Sequence, residues 1–320
     1  MITVSGIEGP DIPFHLSLLG QQFTQVDQGQ FHFVPLVNHY NTHGENYFAE
    51  QTKRASRSKY AVLYDLLNIS DSELGVYIKQ VEDFDHPNKI YLTVNQCKDL
   101  TVNCQVVHWD FMWNRFLAYY FENINADRLH HHTYGAYTIP DIDYTVPRTR
   151  DFLSLYRRRD QQRDRLFTQV KLYNGYYSNF PAGIALDSLD VPGFVPVNQK
   201  FYQDSYFSVY VESNYSNSNL IHLTEKTYDP LIKGHLILPV TNAKSIAYLK
   251  SRGFKFSNVD YAFDDVVDYE ERFNLIIKEF HNVRTHARDI YMSSIDDIKH
   301  NLSVFKEKKY DQRILEIFNR

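Results

Sequence analysis

The chain has 320 residues, 43% of them hydrophobic, and a formal net charge of −5. That length suits two domains, and that apolar content excludes a disordered chain. The acidic balance excludes a wholly basic nucleic-acid binder, though not a basic cleft on an acidic body. The 25 Tyr and 22 Phe read first as an aromatic core that compensates for few Gly and Ala. Cys97 and Cys104, with six residues between them, match no metal signature. They read as buried thiols, with one surface disulfide as the alternative. No apolar stretch approaches the roughly 20 residues that span a bilayer. Met1–Ser5 has neither a basic region nor a long apolar run, so no signal peptide is expected and the location predicted is cytoplasmic.

Residues 1–58 carry few signals beyond a strand over Phe31–Val37 and a polar turn over Asn38–Glu45. Lys59–Asp65 reads as a buried strand ending in an acid. Asp71–Val81 reads as a capped amphipathic helix. Lys89–Val94 and Cys104–Trp109 read as strands, and Phe111–Phe121 as a helix crowded with aromatics. Thr133–Arg150, with Pro140 and Pro147, reads as an inter-domain linker. A second alternating unit follows: strand 151–156, helix 158–174, strand 206–212, helix 224–233, strand 236–240 and helix 243–252. The stretch 176–205 shows no clear element, which marks a functional or flexible loop. Helices are expected over Glu270–Phe280 and in the charged tail after Asn301. Strand–helix alternation predicts an α/β fold with parallel sheets covered on both faces. The expected domains are 1–145 and 146–320, each doubly wound and Rossmann-like.

The most informative stretch runs from Thr224 to Gly234 and into the apolar run Leu236–Val240. Thr224 is placed to cap a helix, and Gly234 sits where a helix end favours a left-handed residue. Glu225 suits the positive end of the helix dipole, but Lys226 does not. A cation there makes sense if an anion also docks, because backbone N–H groups plus one ammonium form a phosphate site. Upstream, Asp151–Arg159 reads as a strand ending in the run Arg157-Arg158-Arg159, with Arg163 and Arg165 on the next turns. Alone, that run has two rival readings: a solvated basic helix face, the usual meaning of a charge run, and a nucleic-acid backbone contact.

Together these segments resemble the donor region of the fucosyltransferase family and of a wider set of viral and phage glycosyltransferases. Lys244–Phe254 is similar to their next helix, and the likeness covers roughly 150–265. The resemblance implies a glycosyltransferase-B fold, two domains facing a cleft. It implies a nucleotide-sugar donor held by Arg157 or Arg158 with Thr224, Glu225, Lys226 and Thr227. Glu225 would then bond the ribose hydroxyls. Lys226 and one Arg would stabilise the leaving diphosphate without a metal, so no cofactor is expected. The rival reading of Lys226 is a solvated surface lysine.

If transfer inverts the sugar, the N-terminal domain must supply a base. Asp110, Glu45 and Asp65 are the candidates, each with an ordinary alternative as a cap or surface acid. His130-His131-His132 lacks the partners of a metal site. Asp141-Ile142-Asp143 has Asp-x-Asp spacing but lies in the expected linker. The acceptor expected is a carbohydrate, given Trp109, Trp113, Tyr119 and Tyr120. The alternative is hydroxymethylated bases in phage DNA, in which case the chain acts in a host cytoplasm. A third reading, from another class, is a non-catalytic α/β protein that binds sugar phosphate or nucleic acid.

Overall fold

The structure is a computed structural model. It describes residues 2–6, 12, 16–17, 19–36, 47–65, 71–95, 100–110, 113–114, 116–117, 141–156, 160–179, 183–184, 186, 199–213, 215, 220–307 and 309–319. The chain divides into two compact units. Met1–Ala118 and Tyr310–Arg320 belong to the first, and His131–Lys309 to the second.

The first unit holds a six-stranded sheet, all parallel, in the order β2-β1-β3-β4-β5-β6. Its strands are β1 (Ile2–Ser5), β2 (Phe23–Gln25), β3 (Phe31–Pro35), β4 (Tyr60–Asp65), β5 (Lys89–Thr93) and β6 (Gln105–His108). Helices α1 (Tyr47–Ala55) and α2 (Asp71–Asp83) alternate with them. Period-2 alternation sends Phe31, Phe33, Val62, Tyr64, Ile90 and Leu92 to one buried face. Ile314 and Ile317, from a short 3-10 helix at Arg313–Ile317, pack into that same cluster. The end of the chain therefore completes the first unit's core, rather than extending the second as the expected 146–320 boundary has it. Asp311 fixes the return. Its carboxylate accepts from the Asp110 N–H at 2.7 Å, and its carbonyl accepts from Asn114 at 2.9 Å.

The second unit holds a four-stranded parallel sheet in the order β10-β9-β7-β8. These are β7 (Arg150–Tyr156), β8 (Gly175–Asn179), β9 (Ser205–Val211) and β10 (Leu236–Val240). Helices α3 (Gln161–Val170), α4 (Gln199–Gln203), α5 (Glu225–Ile232), α6 (Ser245–Ser251), α7 (Tyr269–Thr285), α8 (Ala287–Ser293) and α9 (Ile295–Lys306) surround it. Both sheet faces are covered. Phe152 and Phe207 meet Phe280 of α7, while Tyr206 meets Tyr291 of α8 on the other face. Two parallel sheets interleaved with helices establish an α/β chain compatible with a Rossmann-like fold.

The stretch 176–205, which carries no clear element in the sequence, contains most of β8 and all of α4. β8 reads Gly-Tyr-Tyr-Ser-Asn and is an edge strand, half-buried over its first three residues, so it lacks the apolar run of a central strand. Residues 141–150, expected as linker, pack into the second unit. Arg148 is buried, donates to the Tyr202 carbonyl at 2.7 Å and lies over the Tyr291 ring at 4.1 Å. Among the described residues, no helix is long and apolar enough to cross a membrane.

Gly234 has φ +74°, where a Cβ clashes with the backbone, and an added methyl would also meet Ile142. Gly234→Ala should destabilise the protein by about 1–2 kcal/mol. Gly75, exposed in α2 with open space around it, should gain roughly 0.5–1 kcal/mol on replacement by Ala. Urea unfolding of both variants checks the opposite signs.

Candidate functional site

In the second sheet the chain order reverses between β7 and β9, since β8 lies to one side of β7 and β9 and β10 to the other. Ligands of open α/β sheets bind beyond the carboxyl ends of the strands at such a switch point. β7 ends at Tyr156 and β9 at Val211. The expected arginines Arg157, Arg158 and Arg159 follow β7 but lie outside the described residues. After β9 come Glu212 and Ser213, then the entry to α5.

α5 starts as its sequence predicts. Thr224 is extended at φ −119° and its hydroxyl accepts from the Lys226 N–H at 3.3 Å. The helix continues through Pro230, which has no N–H for the Lys226 carbonyl, and stops at Ile232 before Gly234. β10 then returns beside β9 with Val211 opposite Val240.

Glu212 was not expected here, and it organises the site. It is 0% exposed, and its carboxylate accepts four hydrogen bonds. The donors are Ser213 N at 3.0 Å, Thr224 N at 2.9 Å, Thr224 Oγ1 at 2.7 Å and Thr227 Oγ1 at 2.7 Å. Tyr210 donates to Thr227 Oγ1 at 2.9 Å. Thr227 is therefore fully buried, with its hydroxyl between Glu212 and Tyr210. An acid directly after a strand rich in aromatic and β-branched residues is the one local signal at Glu212, and it does not show which groups fold back to bond it.

Lys226 is half-buried on the first turn of α5. Its Nζ donates to Glu225 Oε1 at 2.8 Å, to Thr224 Oγ1 at 3.2 Å and to Ser213 Oγ at 3.2 Å. The Lys226 and Glu225 side chains keep 29% and 33% of their surface in solvent. Burial disfavours the charged Glu225 carboxylate, but the Lys226 charge and hydrogen bond outweigh it and hold the carboxyl below its ordinary range. The structure thus brings Thr224, Glu225, Lys226 and Thr227 together at one helix start. Of these, Glu225 and Lys226 offer exposed charge to a ligand.

Nearby, Asp160 caps α3 by accepting from Gln162 N at 2.9 Å and Arg163 N at 3.3 Å, and Tyr215 donates to its second oxygen. Arg165 is turned to α7, paired with Glu270 at 2.8 Å and stacked 4.0 Å over Phe273. Asp143 accepts from Thr145 N at 2.9 Å and from the Thr145 hydroxyl at 2.6 Å in an exposed turn.

The three candidate bases have different surroundings. Glu45 lies outside the described residues, as does His130-His131-His132. Asp110 is buried and accepts from the Trp113 N–H at 2.9 Å, the geometry of a helix cap. Asp65 closes β4 at 3% exposure and accepts from the Tyr91 hydroxyl, from Val94 N at 3.3 Å and from Asn95 Nδ2 at 3.2 Å. Burial pushes its carboxyl up to about 6, against the hydrogen bonds it accepts.

No protein-family model matches the chain, and no curated protein sequence matches it.

Asp65 titrates above its ordinary value of 3.8, at about 6 in the fold. Between those values the folded protein holds a proton that the unfolded chain has released. Its contribution to stability therefore falls as pH rises from about 4 to about 6. Wild type should lose up to about 3 kcal/mol relative to Asp65→Asn across that window. Denaturation series at pH 4.5 and 6.5 check this, and a constant difference between the two proteins contradicts it.

Proposed function

We propose that the chain is a glycosyltransferase of the glycosyltransferase-B type that takes a nucleotide-sugar donor at the start of α5. The observation that carries this reading is the half-buried Glu225–Lys226 pair, which keeps part of its charge in solvent. It is mounted on a Thr224-capped helix and braced by buried Glu212, beyond the carboxyl ends of parallel strands. A lone surface lysine has no need of such a mounting.

In the proposed reaction an acceptor hydroxyl attacks the anomeric carbon of the donor sugar. The bond from that carbon to the phosphate oxygen breaks, and the nucleoside diphosphate leaves with the electron pair. Lys226, with an arginine of Arg157–Arg159, meets the charge that develops on the diphosphate. Glu225 takes the ribose hydroxyls. The acceptor's proton passes to a carboxylate, and Asp65, Asp110 and Glu45 are the acids that the sequence offers for that role. The acceptor is a carbohydrate in this reading, and the diphosphate is held without a divalent metal. Transfer of labelled sugar to an oligosaccharide panel, beside hydroxymethylcytosine DNA, tests the acceptor. Label in DNA would replace the carbohydrate assignment, and saturable binding without turnover would make the protein a sugar-phosphate binder.

Lys226→Ala should weaken nucleoside-diphosphate binding by roughly 1.5–3 kcal/mol, the worth of a charge-assisted contact, and by more than it disturbs folding. Calorimetric titration measures both, and unchanged affinity rejects the donor site. Transfer should persist in EDTA. Complete loss, restored by Mn²⁺ or Mg²⁺, would overturn the metal-independent assignment and direct attention to Asp141 and Asp143.

A further inference from the structure

Glu212 cannot touch a ligand directly, because none of its surface is exposed. Its influence runs through the groups that bond it. Each of its oxygens faces one backbone N–H and one hydroxyl: Oε1 takes Thr224 N and Thr227 Oγ1, and Oε2 takes Ser213 N and Thr224 Oγ1. A backbone N–H can only donate. Both oxygens must therefore be acceptors, and an amide at this position would point its NH₂ at a donor in either orientation.

The hydroxyls carry the effect outward. A threonine hydroxyl has one hydrogen to give. That of Thr224 is committed to Glu212, which leaves its lone pairs for the Lys226 N–H and the Lys226 ammonium, at 3.3 and 3.2 Å. Ser213, the residue next to Glu212, holds the same ammonium through its Oγ at 3.2 Å. One buried carboxylate thus fixes the polarity or place of two of the three oxygens around Lys226 Nζ. The third, Glu225 Oε1, is a partner that a bound ribose would take in the proposed reading.

We propose that Glu212 is the positioning residue of the donor site, holding Thr224 and Ser213 so that the Lys226 ammonium is aimed at a diphosphate. The inference rests on the donor-site reading above. It departs from a plain structural role in one respect: the loss on changing Glu212 should depend on Lys226 being present.

The test is calorimetric titration of the full chain with UDP, GDP, CDP and dTDP, in wild type, Glu212→Gln, Lys226→Ala and the double variant. At least one nucleotide should bind wild type, and Lys226→Ala should weaken it about tenfold or more. Glu212→Gln should weaken it by about tenfold as well, and the double variant should bind within about twofold of Lys226→Ala alone, since coupled residues are not additive. If no nucleotide binds, or Lys226→Ala binds like wild type, the donor site itself is wrong and the inference falls with it. If the donor site stands but Glu212→Gln binds like wild type, or the two losses multiply, the inference alone is overturned. Should Glu212→Gln fail to fold, Thr227→Val carries the same cycle. It is nearly isosteric, its site is buried, and it removes one of the four donors to Glu212. Nucleotide affinity like wild type in Thr227→Val, or losses that multiply with Lys226→Ala, would then overturn the inference.

Discussion

Taking a carboxylate out of water costs several kcal/mol unless hydrogen bonds replace its lost hydration. Glu212, sealed at the end of β9, meets that demand with donors from three places in the chain: Ser213, Thr224 and Thr227. The demand is a constraint on geometry as well as energy. Thr224 must cap α5 while giving its backbone N–H to the strand end, and Thr227 must turn inward on the first turn. The Glu212 N–H in turn bonds the Val240 carbonyl at 2.9 Å, at the far end of β10. Strand, cap, helix, left-handed Gly234 and returning strand form one closed circuit around that acid. The helix start cannot slide or rotate without leaving a buried charge short of donors.

A related device recurs in the first unit. Asp65 closes β4 as Glu212 follows β9, and neighbouring donors satisfy it. The donor sets differ in kind. Glu212 receives two backbone N–H groups and two threonine hydroxyls. Asp65 receives one N–H, a tyrosine hydroxyl and a side-chain amide, and burial lifts its carboxyl toward neutrality. Each parallel sheet thus carries a buried acid at a carboxyl end, where an open α/β sheet places its chemistry. Asp311 is a third buried acid with another task. Arg313 and the Asp110 N–H hold its carboxyl low against the cost of burial, and it fastens the chain's last turn to the first unit.

The sequence made the second unit's central elements legible because their signals are strong and local. Strand 236–240 is as expected, and α5 runs from its Thr224 cap toward Gly234 as the residue types require. β8 and α4 were not legible. One is an edge strand of Tyr, Ser and Asn, and the other is a helix of five residues, too short for periodicity to appear. β1 and β2 are four and three residues long and escape for the same reason. The return of Ile314 and Ile317 to the first core is a long-range contact, which no local pattern encodes. Within the site, Thr224, Glu225 and Lys226 were readable as a cap and two charges. Glu212 was not, because its meaning depends on which loop folds back to it.

In the proposed donor site Lys226 meets a diphosphate and Glu225 a ribose at the start of α5. A crystal structure of the protein with a nucleoside diphosphate would place both contacts. The expected result is phosphate oxygens within hydrogen-bond distance of Lys226 Nζ, Glu225 released from Lys226 to the ribose, and Glu212 unmoved with its four donors. A nucleotide bound elsewhere, with the 2.8 Å Glu225–Lys226 pair intact, would contradict it.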